Sequence, residues 1–186
     1  VTDNNLFLES ALSTDDGIAL ETIQPAGYST PRSTEPKVVV FDRWAPEKTP
    51  DGASIFLAAW PADFGLQPGA TLENAIVTDW DKESPINQHV SLKNITVPKA
   101  RKTTASTEFS VLVRSFEDSL VLLRPTARAQ ALAIAFDTTE TDLPLRVAYP
   151  ILISNAIRFL AGAKAETDWL SPPIGKILTA TDIAAF

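Results

Sequence analysis

Val38-Val39-Val40-Phe41 is an unbroken apolar, β-branched run that ends on Asp42. A strand that faces water on one side alternates apolar with polar residues. An unbroken run suits a strand covered on both faces, as in a parallel sheet. Ser54-Ile55-Phe56-Leu57-Ala58-Ala59-Trp60 repeats the pattern after the turn signal Pro50-Asp51-Gly52. Ahead of these, Asp3 or Asn4 is placed to cap a helix whose apolar positions are Leu6, Phe7, Leu8, Ala11 and Leu12. Ile18 to Ile23 reads as a short strand, and Gly27 to Lys37 as a loop. One helix and three strands look like the first half of a doubly wound α/β domain. No long helix fits between residues 38 and 60, so that connection departs from a simple βαβ unit.

The middle of the chain has a different texture. Ala75-Ile76-Val77 and Asn94 to Val97 are strand candidates, and Pro85 to Val90 a short helix. Ser110 to Arg114, Leu120 to Arg124 and Ala129 to Phe136 then follow one another closely. Their separators, Phe116 to Ser119 and Pro125 to Arg128, are too short for a crossover and force antiparallel pairing. A hairpin extension or a mixed sheet is expected. The strongest helix comes next: Ala148, Leu152, Asn155 and Phe159 share one face, and apolar residues cover most of the others. Pro150 lacks an amide hydrogen, which places it in the first turn, and Gly162 supplies a stop.

The 186 residues fit one domain with its own core, and 45% hydrophobic against 21% charged residues is an ordinary globular balance. The longest apolar stretch, Val147 to Ala163, is broken by Pro150, Asn155 and Arg158 and is no membrane span. The net charge of −7 speaks against a nucleic-acid partner, and the one dense basic stretch, Lys99-Ala100-Arg101-Lys102, reads as a solvated strand edge. With no cysteine, disulfides, thiol nucleophiles and cysteine metal sites are excluded. A chain that opens on Val1 and has no methionine reads as a piece of a longer protein.

Few residues here are equipped for chemistry. His89 is the sole histidine; it stands in no metal-binding pair, and no G-x-S-x-G elbow or glycine-rich phosphate cradle occurs. Carboxylates stand near strand ends at Asp42, Asp63 and Asp137, with Asp79 and Asp81 around Trp80. Ligands of open α/β sheets bind beyond the carboxyl ends of strands, so an oxygen-ligated cation or a divergent hydrolase is one alternative. Aspartates that merely terminate strands and cap turns are the plainer account. Trp44 and Trp60 both end strand candidates, and with Trp80 and Trp169 they offer a second alternative, a sugar-stacking surface. Asp42, Trp44, Trp60, Asp63, His89 and Asp137 are therefore the candidate ligand-binding residues, with no catalytic set, metal or cofactor assigned.

Four segments together resemble one family. They are Asn5 to Leu12, Val39 to Pro46, Ser84 to Leu92, and Phe136-Asp137 through Asp142 to Leu152. Over residues 4 to 162 the chain resembles the glutamine-amidotransferase-like domain of large bacterial membrane proteins, which also carry a von Willebrand factor A domain and a Bat-like aerotolerance-regulator region. The resemblance implies a flavodoxin-like, class I amidotransferase-type three-layer sandwich, with the mixed sheet and β-hairpin extension inferred above. It implies a domain over 1–162 and an extension over 163–186 that packs on it or leads to the next segment. It also implies membrane anchoring through segments outside this chain, an extracytoplasmic location, and protein partners or other domains of the parent. A class I amidotransferase needs a cysteine at a strand-to-helix elbow with a histidine and a glutamate. This sequence has no cysteine, and His89 sits in no H-x-E motif. The leading expectation is a non-catalytic interaction or scaffold domain, since a fold can persist after its chemistry is lost.

Overall fold

A computed structural model of the chain describes residues 1–29, 38–105, 107–125 and 130–162. The elements are α1 (Leu6–Ser13), β1 (Val38–Asp42), β2 (Ala53–Leu57), β3 (Leu66–Ile76), β4 (Asp79–Trp80), β5 (Thr96–Ala105), β6 (Ser110–Ser115), β7 (Asp118–Arg124), β8 (Ala131–Ile134) and α2 (Ala148–Leu160). The main sheet runs β1-β2-β8-β7-β6-β4, and β3 and β5 form a separate two-stranded ribbon. β1, β2 and β8 are mutually parallel; β8-β7, β7-β6 and β6-β4 are antiparallel. The chain is thus mixed α/β, with a mixed sheet and few helices. β1 and β2 come from the unbroken apolar runs, β6, β7 and β8 from the closely spaced stretches, and β8 joins the two parts by pairing parallel with β2 and antiparallel with β7.

β1 and β2 pair in parallel although no helix joins them. The long ribbon comes after β2 in sequence and docks onto the sheet through β5. There the Arg101 amide donates to the Ala135 carbonyl at 2.8 Å, and Ala100 bridges Phe136. Lys99, Arg101 and Lys102 lie exposed on this ribbon with Ala100 buried between them, but the stretch is not the expected strand edge: β5 pairs with β3 on one side and meets Ala135 and Phe136 on the other.

The two faces of the sheet are covered differently. α1 and α2 both pack on one face, with Leu8, Leu12, Leu152, Ile153 and Ala156 meeting Val40, Ile55, Leu132 and Ile134. On the other face Phe41 stacks on Phe56 at 5.1 Å, and Phe64, Trp44, Trp60, Tyr28 and Phe109 close over them from loops and turns. Among the described residues no α-helix covers this second face, so two layers of the expected three-layer sandwich are present. Aromatic rings supply the apolar area that a second helical layer would bring.

Several local expectations need correction. Ile18 to Ile23 forms no strand; Ala19 to Thr22 are exposed and lack a ladder. α1 is capped by Asn5, whose side chain accepts from the Leu8 amide, and not by Asp3 or Asn4. β2 stops at Leu57, short of Trp60, because Ala58 turns into the left-handed region at φ 62°. Pro85 to Val90 is a single 3-10 turn over Pro85–Asn87. α2 carries Pro150 in its first turn, and Gly162 comes just after its end at φ 71°. The loop over residues 30–37, most of the Pro125 to Arg128 turn, and the 163–186 extension with Trp169 lie outside the described residues. Among the described residues no helix is long and apolar enough to cross a membrane.

The helices are fastened by charge as well as by apolar packing. Asp15, in the turn after α1, accepts from Arg158 Nη2 at 2.9 Å and from Arg158 Nε at 3.0 Å. It also accepts from the Ser154 hydroxyl of α2. Arg158 first, then Ser154, hold the Asp15 carboxyl far below the usual carboxylate range. A group whose folded-state pKa is depressed contributes stability above its unfolded pKa and loses it as pH falls toward the folded value. Arg158 is 42% exposed, so solvent screening limits the gain to about 1 kcal/mol. Asp15→Asn is expected to lower stability by about 1 kcal/mol at neutral pH. Urea titrations across pH should show that the loss shrinks once the pH falls below about 4.

Candidate functional site

The carboxyl ends of β1, β2 and β8 are where an open α/β sheet presents its ligand crevice. Asp42 ends β1 and is 3% exposed. A buried carboxylate is costly unless its oxygens accept hydrogen bonds. Here Thr2 Oγ1 donates to Oδ2 at 2.8 Å and Asn5 Nδ2 to Oδ1 at 3.1 Å. Arg43 donates to Oδ2 through Nε at 3.3 Å and Nη2 at 3.1 Å. The segment around Thr2 is held beside β1 by backbone bonds as well: the Asp42 amide donates to the Val1 carbonyl at 3.0 Å.

Arg43 reaches toward a second carboxylate. Its Nε lies 3.9 Å from Asp137 Oδ2, just beyond the end of β8. Asp137 is occupied on its other oxygen, which accepts from the Thr139 amide at 2.9 Å and the Thr139 hydroxyl at 2.7 Å. The next residue, Thr138, is buried and its hydroxyl lies 3.4 Å from Tyr149 Oη of α2. Burial, together with the charges of Asp42 and Asp137, pushes the Tyr149 phenol up to about 12, while the Thr138 bond acts in the opposite sense. Tyr149 is therefore a neutral hydrogen-bonding group at physiological pH.

Two backbones at this end adopt left-handed conformations. Arg43 has φ 54° and Ala58 φ 62°, and they come directly after the last residues of adjacent strands. Both are held by the ladder: the Arg43 amide donates to the Leu57 carbonyl and the Ala58 amide to the Ile134 carbonyl, each at 2.9 Å. Such conformations cost a non-glycine residue about 1 kcal/mol or more and persist where the surroundings fix them.

The six sequence candidates divide into separate groups. Asp42 and Asp137 come together around Arg43. The guanidinium between them stands where a cation would sit, so the pair is already compensated. Among the described residues no cluster of three or more His, Asp or Glu side chains fits a metal ion. Asp63 lies on the aromatic side, accepting from the Thr49 amide and hydroxyl at 2.8 Å each. The Thr49 hydroxyl, more than any other group, holds the Asp63 carboxyl below its ordinary value. His89 is exposed in the turn after Pro85–Asn87, at φ 60°, and this segment is tied to α2 by Asn155. It makes no hydrogen bond or ion pair with the carboxylates above.

Among the described residues Trp44, Trp60 and Trp80 are all half-buried. Trp44 is half-buried against Tyr28 at 5.6 Å and Phe41 at 5.9 Å. Trp60 is half-buried and donates its indole N–H to the Leu66 carbonyl at 3.0 Å. Trp80 sits on β4 under the Lys82 ammonium, 5.3 Å from its ring centre. Thr2, Asn5, Arg43, Ala58, Thr138 and Tyr149 were not singled out by sequence. Only Asn5 carried a usable signal, since its position three residues before Leu8 is that of a helix cap.

No family model matches the chain, and no curated protein matches it. A solved structure of a cytoplasmic protein from Salmonella typhimurium is similar at 12% identity and a TM-score of 0.46, with 59% of this chain and 55% of that chain covered. The match thus spans about half the length of that protein.

Ala58→Gly removes the strain of the left-handed backbone at the end of β2. It is expected to stabilise the fold by roughly 0.5–1 kcal/mol, because strain relief exceeds the extra entropy of glycine in the unfolded chain. Ala58→Val is expected to destabilise it. Thermal melts of the two variants check the pair, and a melting temperature lowered by glycine would contradict the assignment.

Proposed function

We propose that this chain is a non-catalytic interaction or scaffold domain of a membrane-anchored bacterial protein, with a flavodoxin-like, amidotransferase-type fold that has lost its nucleophile. The observation that carries the reading is Ala58. An amidotransferase sets its cysteine on a sharply turned backbone just after a central strand. The position just after β2 is sharply turned here, at φ 62°, yet it bears a methyl group. The chain then enters a 3-10 turn over Ala62–Phe64 instead of a long helix. No cysteine occurs anywhere in the sequence.

The neighbouring carboxylates support the same reading. A general base must be able to take a proton from a reacting group. Asp42 is buried and its oxygens are engaged by Thr2, Asn5 and Arg43. His89 lies outside the Asp42–Arg43–Asp137 group, and Tyr149 holds its proton. An extracytoplasmic location and binding to other domains of the parent protein come from the resemblance, and a chain without cysteine is compatible with both.

The test is ammonia release from glutamine by the purified chain and by its His89→Ala and Asp42→Asn variants. All three are expected to match the protein-free control. Release by the parent chain that disappears in His89→Ala would overturn the reading.

A further inference from the structure

Exposed apolar side chains are unevenly spread over the described residues. Leu20 stands apart, whereas Leu6, Phe7, Ile76, Phe116, Leu145 and Val147 gather at the end of the sheet where β1, β2 and β8 finish. Asn5 ties the start of α1, and with it Leu6 and Phe7, to Asp42. The β6-β7 turn reaches this end because β7 runs antiparallel to β8. There the Phe116 amide donates to Thr78 Oγ1 at 2.7 Å, two residues on from Ile76 at the end of β3. Ile76 stands opposite Thr96, and Arg146 Nη2 donates to the Asn94 carbonyl at 3.1 Å. Phe116, Ile76 and the Leu145 to Val147 turn therefore follow one another along one arc, with Ile76 in the middle.

Phe116 carries two costs at once. It is 73% exposed, and its backbone is left-handed at φ 53°. Ser115 pairs with Asp118, so Phe116 is the first residue of a two-residue hairpin loop. Such loops favour Gly, Asn or Asp, and a bulky residue at positive φ is an outlier. Backbones strained in this way concentrate at functional sites. At the far end of the arc Leu145 is 77% and Val147 78% exposed. With Ile76, the four side chains offer roughly 550 Å² of exposed apolar surface, against about 800 Å² per partner in an interface of standard size. A polar flank would supply the remainder. That flank is balanced in charge although the chain carries −7: Arg114 and Glu117 stand beside Phe116, and Asp142 and Arg146 beside Leu145. A balanced surface suits neither an anionic lipid surface nor a strongly charged partner. It suits a second copy of itself, because both signs of charge stand at each end.

We propose that this arc is the contact through which two copies of the chain form a symmetric dimer. In a two-fold contact one surface meets itself, so each end of the arc lies on the opposite end in the other copy. Ile76 stands nearest the axis. Phe116 of each copy packs on Leu145 and Val147 of the partner subunit, and Glu117 approaches Arg146 of the partner subunit. The ring of Phe116 is then buried on association, as aromatic anchors at the centre of interfaces are. The dimer does not rest on the functional reading above, whose ammonia assay is a separate readout.

Sedimentation of the purified chain, from micromolar to near-millimolar concentration, is expected to show its mass rise from 20.1 kDa toward twice that value. Phe116→Asn places at the hairpin tip a residue that accepts a left-handed backbone. It is expected to keep or raise the melting temperature while weakening dimerisation at least ~10-fold. Leu145→Ser should weaken it from the other end of the arc. Because the chain has no cysteine, Glu117→Cys combined with Val147→Cys tests the crossing directly. Oxidation of that double variant is expected to give a covalent dimer, and either single variant far less of one. A monomer mass at every concentration would overturn the proposal. So would a dimer that both Phe116→Asn and Leu145→Ser leave intact, or a disulfide that closes within one chain. Flotation of the chain with phosphatidylcholine vesicles, lost in Phe116→Asn, would overturn it by assigning the surface to lipid. A lower melting temperature of Phe116→Asn with an unchanged mass would do the same, since the ring would then pack within its own chain.

Discussion

The Asp42 carboxylate is the point on which this end of the molecule depends. It is buried at the end of β1, where an uncompensated charge would cost several kcal/mol. Its partners come from three places in the chain: Thr2 from the leading segment, Asn5 from the start of α1, and Arg43 from the turn after the strand. Asn5 acts twice. Its amide nitrogen donates to Asp42 while its oxygen accepts from the Leu8 amide and caps α1. One side chain thus sets where the helix begins and where it meets the sheet. Arg43 then extends the same charge system toward Asp137 at the end of β8.

This arrangement shapes what the site can do. A carboxylate that serves three parts of the chain as an acceptor is a fastener. The left-handed backbones of Arg43 and Ala58 put the strand ends in the conformation that reactive centres often use. Here one of them bears a guanidinium already engaged by Asp42, and the other a methyl. The side chains at these strand ends hold Thr2, Asn5 and the turn after β1 together.

Much of the sheet was legible in the sequence because apolar runs and turn chemistry are local signals. Val38 to Asp42 matched β1 residue for residue, and Phe116 to Ser119 contained the β6-β7 turn. Pro150 and Gly162 marked α2 as expected. Ile18 to Ile23 misled because alternating apolar residues look like a strand whether or not a partner edge is available. The early end of β2 was invisible because alanine gives no sign of a left-handed backbone, which tertiary hydrogen bonds impose. The second face of the sheet was harder still. Phe41, Phe56, Phe64 and Phe109 are scattered in sequence, and only the fold gathers them. In the site, the pairing of Asp42 with Asp137 was foreshadowed by both standing at strand ends. The Arg43 bridge and the Thr2 and Asn5 donors were not, because they depend on how the leading segment lies alongside β1 and on the turn that follows the strand.

Asp42 and Asn5 act as one unit that joins α1 to the sheet. A double-mutant cycle between Asn5→Ala and Asp42→Ala, read by urea unfolding, measures that coupling directly. The predicted coupling energy is about 1 kcal/mol or more, with each single variant clearly destabilised. Additive effects within roughly 0.3 kcal/mol would contradict it, because the two residues would then be stabilising the fold independently.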